Sequence, residues 1–252
     1  MSFNAVMADE KPNERDPWNG FGVGSWVIRS EATTRGDKTE TTREKHTRIA
    51  AKDPKSIERE QLKEGKTPGV FDGGKSTAWH IPGLDPATNP KFKALETRKG
   101  ELEIEGKKYS CEVKPYEIAE EGIKATLTYW HCKDLSVPYR EMSSELRSLA
   151  MRPDVLRLDI DFLGKQSSEK VSIRVVKLNE ERKIGDKKVS CVRQEGEGEF
   201  TEGATKAKGK ITMWISNDVP GREVEMLVES EIAGAKLKRQ ERIEAFETVK
   251  EK

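Results

Sequence analysis

The sequence predicts a mainly β protein, built as two consecutive curved antiparallel half-barrel-like repeats joined by one short helix. Three observations lead there. Apolar and polar residues alternate with period 2 along several runs, the mark of strands with one wet face. Gly-containing turn signals such as Arg35-Gly36-Asp37 and Ile232-Ala233-Gly234 separate those runs where hairpins need positive φ. Finally, a set of landmarks occurs twice in the same order. Ile104-Glu-Gly-Lys-Lys-Tyr-Ser-Cys111 matches Ile184-Gly-Asp-Lys-Lys-Val-Ser-Cys191. Each leads into a strand ending in Trp, at Trp130 and Trp214, and then into Val137-Pro138-Tyr139-Arg140-Glu141 or Val219-Pro220-Gly221-Arg222-Glu223. Repeats set the fold when they are present.

In chain order, residues 1–22 read as a disordered tail, because MADEKPNERDP is polar, Pro-containing and aperiodic. Residues 23–142 read as the first β repeat, with a Gly- and Pro-rich insertion at 63–98 expected to leave the sheet as a loop. Within it, Ile123, Ala125, Leu127 and Tyr129 share one strand face. Residues 143–252 read as a linking helix and the second repeat. The helix is assigned to Ser143–Met151, where Leu146, Leu149 and Ala150 have helical spacing, Ser143 or Ser144 caps and Pro153 stops. Leu156, Leu158, Ile160 and Phe162 then alternate with Arg157, Asp159 and Asp161, and Val224, Met226, Val228 and Ile232 share a face.

Composition narrows the function. The chain has 252 residues, 34% of them hydrophobic and 36% charged, so a thin core and well-solvated sheet faces are expected. Lys and Arg total 46 and Asp and Glu 45, interspersed without a basic stripe, which argues against nucleic-acid binding. No run approaches the ~20 apolar residues that span a bilayer. Val6-Met7-Ala8 before Asp9-Glu10 resembles the end of a signal peptide without its apolar region, so export with a truncated or missing leader is expected, with a cytoplasmic protein as the alternative.

The repeated Gly-Lys-Lys-x-Ser-Cys…Trp…Val-Pro pattern resembles uncharacterised exported bacterial β-proteins of planctomycete type, over about 24–248. More remotely, the architecture is similar to the half-barrel of Lol-type periplasmic lipoprotein carriers. The first resemblance implies an exported or cell-envelope protein; the second implies carriage of a lipid or lipoprotein, for which this chain is poor in aliphatic residues.

Candidate chemistry is sparse. Trp130 and Trp214 occupy equivalent places and offer aromatic surface to a ligand, though packing alone would explain two copies. The Gly69–Pro90 segment holds Trp79 and His80 and is the favoured place for a binding surface. Its Gly73-Gly74-Lys75-Ser76-Thr77 lacks the spacing, strand and helix of a phosphate loop. Asp134 and Asp218 precede turns and read as turn formers. His131 and Cys132 are neighbours on a strand, so their side chains diverge. Cys111 could pair with Cys132 in an oxidising compartment, but Cys132 lies opposite the Leu127 and Tyr129 face, which argues against it. The reading is a non-enzymatic exported or cell-envelope protein that binds an unknown protein or small ligand, with envelope association, no membrane span, no metal and no cofactor. A half-barrel lipid or lipoprotein carrier, and an enzyme of unknown class, are the alternatives.

Overall fold

A computed structural model describes residues 17–18, 20–48, 57–79, 92–120, 123–138, 140–141, 150–151 and 153–250. The long strands are rich in alternating β-branched and charged residues, the composition of a pleated surface buried on one side. The chain forms β1 (Trp26–Arg35), β2 (Lys38–Arg48), β3 (Ile57–Glu64), β4 (Phe71–Trp79), β5 (Lys93–Ala94), β6 (Arg98–Ile104), β7 (Lys107–Glu120) and β8 (Ile123–His131). It continues through β9 (Arg140–Glu141), β10 (Ala150–Met151), β11 (Val155–Leu163), β12 (Ser167–Ile184), β13 (Lys187–Glu202), β14 (Thr205–Ile215), β15 (Glu223–Ile232) and β16 (Ala235–Glu247). Among the described residues there is no helix.

Two-residue turns set the register. Glu105 and Gly106, at φ 51° and 78°, join β6 to β7 with Ile104 opposite Lys107. Ala233 and Gly234, at φ 49° and 83°, join β15 to β16 with Ile232 opposite Ala235. Positive φ at both central residues is the type I′ signature, whose twist matches that of the strands.

All strands except the β9–β10 pair form one 14-stranded antiparallel sheet, ordered β4-β3-β2-β1-β16-β15-β14-β13-β12-β11-β8-β7-β5, with β6 also on β7. The first strand therefore lies against the last. This corrects the expected pair of consecutive half-barrels: the segment read as a first repeat is divided, with β1–β4 beyond β16 and β5–β8 at the opposite edge. Part of the 63–98 insertion belongs to the sheet, since Phe71–Trp79 pairs with β3 as an edge strand. Of the expected 143–151 helix, residues 143–149 lie outside the described residues. Ala150–Met151 is a strand paired with Arg140–Glu141, so the helix does not extend that far. The expected 1–22 tail falls largely outside the described residues, but Trp18 and Phe21 are buried and Gly22 N donates to Val249 O.

A sheet this wide must coil. Bulges in β11 opposite His131 and Trp130, in β15 opposite Ile215 and Trp214, and in β12 near Val175 and Lys177 supply the bending. β12 reaches both flanks: Leu178 N donates to Glu105 Oε2 at 3.0 Å, and Lys187 Nζ, just beyond β12, donates to Phe246 O at 2.8 Å.

Three apolar clusters result. One holds Leu102, Ile104, Tyr109, Cys111, Cys132, Val137, Leu156 and Val175, with Trp130 against it. A second holds Trp18, Val27, Ile184, Val189, Cys191, Trp214, Val219, Val224, Ile243 and Phe246. A third, with Leu127, Tyr129, Leu158, Ile160, Ile173, Met213 and Met226, fills a face of β8 and β11–β15. At its centre Gly196 has no room for a side chain: a Cβ there would sit 2.7 Å from Ile173 and 2.8 Å from Ile211.

Cys111 and Cys132 form a disulfide. The alternation argument against that pair failed for a definite reason. Val113 lies opposite Trp130, so Cys111 shares a face with Trp130 and Cys132, the side of the sheet away from Leu127 and Tyr129. Just past β8 that face too is buried, at Cys132, whereas the alternation of Ala125, Leu127 and Tyr129 marks only the other one.

Candidate functional site

A groove of about 1230 Å³ crosses β8, β11 to β16 and β1. Register builds its walls. On one side the directly opposed residues are Thr128, Asp159, Ser172, Glu197, Lys210, Glu229, Lys238 and Thr34. Two residues along every strand, the second wall is Thr126, Asp161, Lys170, Glu199, Lys208, Glu231 and Lys236. Between them run Ile160, Val171, Gly198, Gly209, Ser230 and Leu237, whose side chains belong to the opposite face and whose backbone makes the floor. The next side chains of that opposite face, Ile173 and Ile211 one way and Phe200 and Ile232 the other, stay outside the groove, which fixes it to the charged face. Strand geometry makes the channel about 7 Å between walls and about 34 Å long.

The second wall alternates in charge from Asp161 to Lys236, as cross-strand pairing favours, and the first does so from Glu197 to Lys238, with Ser172 between Asp159 and Glu197. Lys208 approaches Glu199 at 2.9 Å and Lys170 approaches Asp161 at 3.5 Å. The Lys208 hydrogen bond holds the Glu199 carboxyl below its usual range, and the same bond raises Lys208. Asp159 is fixed by three donors: Trp130 Nε1 at 3.0 Å, Arg157 Nε at 2.9 Å and Ser172 Oγ at 2.7 Å. A smaller hollow of about 340 Å³ lies beside it, with Arg157, Arg174, Glu195 and Thr212 on its far wall.

The sequence-predicted site residues do not come together. Trp130 packs on the disulfide cluster, its ring under the Arg157 guanidinium at 4.9 Å. Trp214 lies in a different cluster, donates to Glu180 Oε1 at 2.7 Å and sits under Arg182 at 4.2 Å. Each indole thus has a carboxylate at its N–H and an arginine over its face, and neither lines the groove. Trp79 ends edge strand β4, and His80 lies outside the described residues. His131 Nδ1 is 2.8 Å from Asp154 Oδ2 and its ring stacks with Tyr129, away from the groove. Burial pushes the Cys191 thiol up to about 12, leaving it a packing group. Among the described residues no group of three or more His, Cys, Asp or Glu side chains could hold a metal ion.

Sequence reasoning missed the groove, because its walls combine one residue from each of many strands. The signal was present as Lys and Glu at alternate positions, as in Glu195, Glu197 and Glu199 facing Thr212, Lys210 and Lys208. Only the pairing order turns those runs into rows.

No family model matches the chain, and no curated protein matches it. Solved structures similar to it include a candidate exported protein with a YmcC-like fold from Bacteroides fragilis, at 9% identity and TM-score 0.37, covering 90% of this chain and 97% of that one. A candidate lipoprotein from Parabacteroides distasonis matches at 8% identity and TM-score 0.38, covering 90% and 96%. A DUF1329 family protein from Desulfovibrio piger matches at 12% identity and TM-score 0.32, covering 93% and 90%.

Proposed function

We propose that this is a non-catalytic binding protein of the cell envelope whose binding surface is the transverse groove, and that its ligand is an extended polar chain. The observation that carries the reading is the pair of charge-alternating walls. They present a donor or acceptor at each strand, about every 4.8 Å, along a floor of backbone. An acyl chain laid there would strip water from charges without replacing their partners, at a cost of several kcal/mol; this disfavours the lipid-carrier alternative. The buried disulfide supports an oxidising compartment, because such bonds persist outside the reducing cytosol.

In this reading Trp130 and Trp214 serve packing, while Trp79, at the end of edge strand β4, and the next residue in sequence, His80, are kept as a proposed second contact point. The matching surroundings of the two tryptophans, the parallel placing of Ile104 with Ile184 and of Cys111 with Cys191, and the bulge beside each Trp strand also support an internal duplication, proposed here as the origin of the fold.

The test is a binding panel. Cello- and chito-oligosaccharides should raise the melting temperature of the wild type, and the Lys210→Glu, Lys238→Glu double variant should lose that response while folding normally. A fluorescent fatty acid should not bind. Acyl binding at micromolar concentration, with no response to any oligosaccharide, would overturn the proposal.

A further inference from the structure

The antiparallel order brings hairpin tips together at one end of the sheet, among them those joining β1 to β2, β11 to β12, β13 to β14 and β15 to β16. Large apolar side chains stand in solvent there. Leu163 is 57% exposed, Ile232 43% and Phe200 37%. They are not scattered. Phe162 and Phe200 both lie opposite Glu169, Phe200 faces Ala207, and Ala207 faces Ile232, so the half-buried Phe162 and the exposed Phe200 and Ile232 stand in one row on the apolar face, while Leu163, next to Phe162, leaves the same tip toward the other face. Scattered exposed apolar residues need no explanation, whereas a shared edge of them marks a contact surface.

The charges beside this row suggest what covers it. Arg35, Lys38, Lys165, Lys206 and Lys236 are exposed at the same tips, against Asp37, Glu202 and Glu231. None of the five cations enters an ion pair among the described residues. With Glu169 of the row half-buried, the exposed charges at these tips carry a surplus of two positive charges around Leu163, Phe200 and Ile232, in a chain of formal net charge +1. Aliphatic and aromatic tips ringed by lysine match the boundary of an anionic bilayer, where apolar groups enter the acyl region and cations meet phosphates. We propose that this end docks on the surface of a membrane rich in anionic phospholipid, the sheet standing on its tips without spanning. Such docking leaves the groove, whose second wall lies only a few residues from the tips, open alongside the headgroups. It does not depend on the groove's ligand.

The experiment is co-sedimentation of the whole protein with vesicles of phosphatidylglycerol and phosphatidylethanolamine, and with vesicles of phosphatidylcholine alone. Binding is expected to the first and not the second, and should fall about tenfold when salt is raised to about 0.5 M. The Leu163→Ser, Phe200→Ser, Ile232→Ser variant and a Lys38→Glu, Lys165→Glu, Lys206→Glu variant should each lose binding while keeping the wild-type melting temperature. Since all six side chains are exposed, folding should survive. If the wild type ignores anionic vesicles at low salt, or if the triple-serine variant binds undiminished, the proposal fails. It fails equally if the wild type is a dimer in solution that the triple-serine variant dissociates, since the row would then cover a second copy. Oligosaccharide binding is read separately, so losing one result leaves the other standing.

Discussion

His46 is the residue whose ionisation most clearly couples to folding. It sits on β2 between Val27 and Gln61, with Arg29 and Arg59 nearby. Burial first, and then the Arg29 charge, lower its pKa from 6.5 to about 4, with Glu44 opposing at 3.4 Å. The unfolded chain therefore binds a proton between pH 6.5 and 4 that the folded chain refuses, and stability falls as pH drops through that window. Glu241 has the opposite sign: burial and the neighbouring Glu223 raise its pKa, so its contribution is lost as pH rises. Urea melts at a series of pH values should show the wild type losing on the order of 2–3 kcal/mol across the His46 window. A His46→Gln variant should lose less by about that amount. Identical slopes for the two proteins would assign the acid sensitivity elsewhere. None of this was legible beforehand. The sequence identifies His46 as one of 3 histidines, but burial and charged neighbours arise from strands that are distant in the chain.

At the scale of elements, hairpins were readable and their partners were not. The Glu105-Gly106 and Ala233-Gly234 turns, and the alternation of Leu127 and Tyr129 in β8, are local patterns that the fold keeps. The 71–79 strand escaped notice because Gly73-Gly74 and the surrounding prolines read as a loop. In fact Gly73, at φ 66°, lies where the register shifts between Gln61 and Lys63, a bulge in an edge strand. The duplication makes a sharp demand here. Val192 lies opposite Ile215, so Cys191 faces Ser216, as Cys111 faces Cys132. Both residues are buried, at 1% exposure. The variant S216C should oxidise spontaneously to a second cross-strand disulfide with Cys191, seen as loss of the free thiol under denaturing conditions. Closing such a loop typically adds about 3 kcal/mol. A variant that folds and keeps two free thiols would show that the two regions differ in geometry, and the duplication reading would fall.

For the whole molecule, the decisive fact is which strands lie side by side, and that information is non-local. Period and turn chemistry specify strands and faces, yet the same strands could have closed as two separate half-barrels. What selects the single sheet is the pairing of β1 with β16, backed by Arg29 reaching Glu223 at 3.2 Å and Glu241 at 3.5 Å, and by Trp26 Nε1 donating to Glu247 Oε2 at 3.0 Å. The groove depends on this closure, since Thr34 and Gly36 of the first hairpin line its end. Binding and global stability should therefore respond together to damage at this seam. Arg29→Ala leaves Glu223 and Glu241 without their shared cation and should cost about 2–4 kcal/mol in denaturant melts. A loss below about 0.5 kcal/mol would mean that the seam is held by backbone pairing alone.

That seam also imposes a schedule. β1 to β4 are made long before β16, yet the place of β1 in the large sheet exists only once β16 has been laid down. β1 can pair at once with β2, and β2 with β3, but the other edge of β1 must wait unpaired while β5 to β15 are made; β11 to β15 meanwhile assemble with sequence neighbours as they emerge. Pairings that bridge the ends of a chain form slowly, since the long loop between them must be closed before any contact rewards it. The waiting segment carries its own protection: β1 and β2 are dense in Thr, Lys, Arg and Glu, a composition poorly suited to self-association. A chain stopped before β16 should keep Trp26–Arg48 open to protease while its central strands resist, and addition of the thirteen residues of β16 in cis should protect Trp26–Arg48 as well.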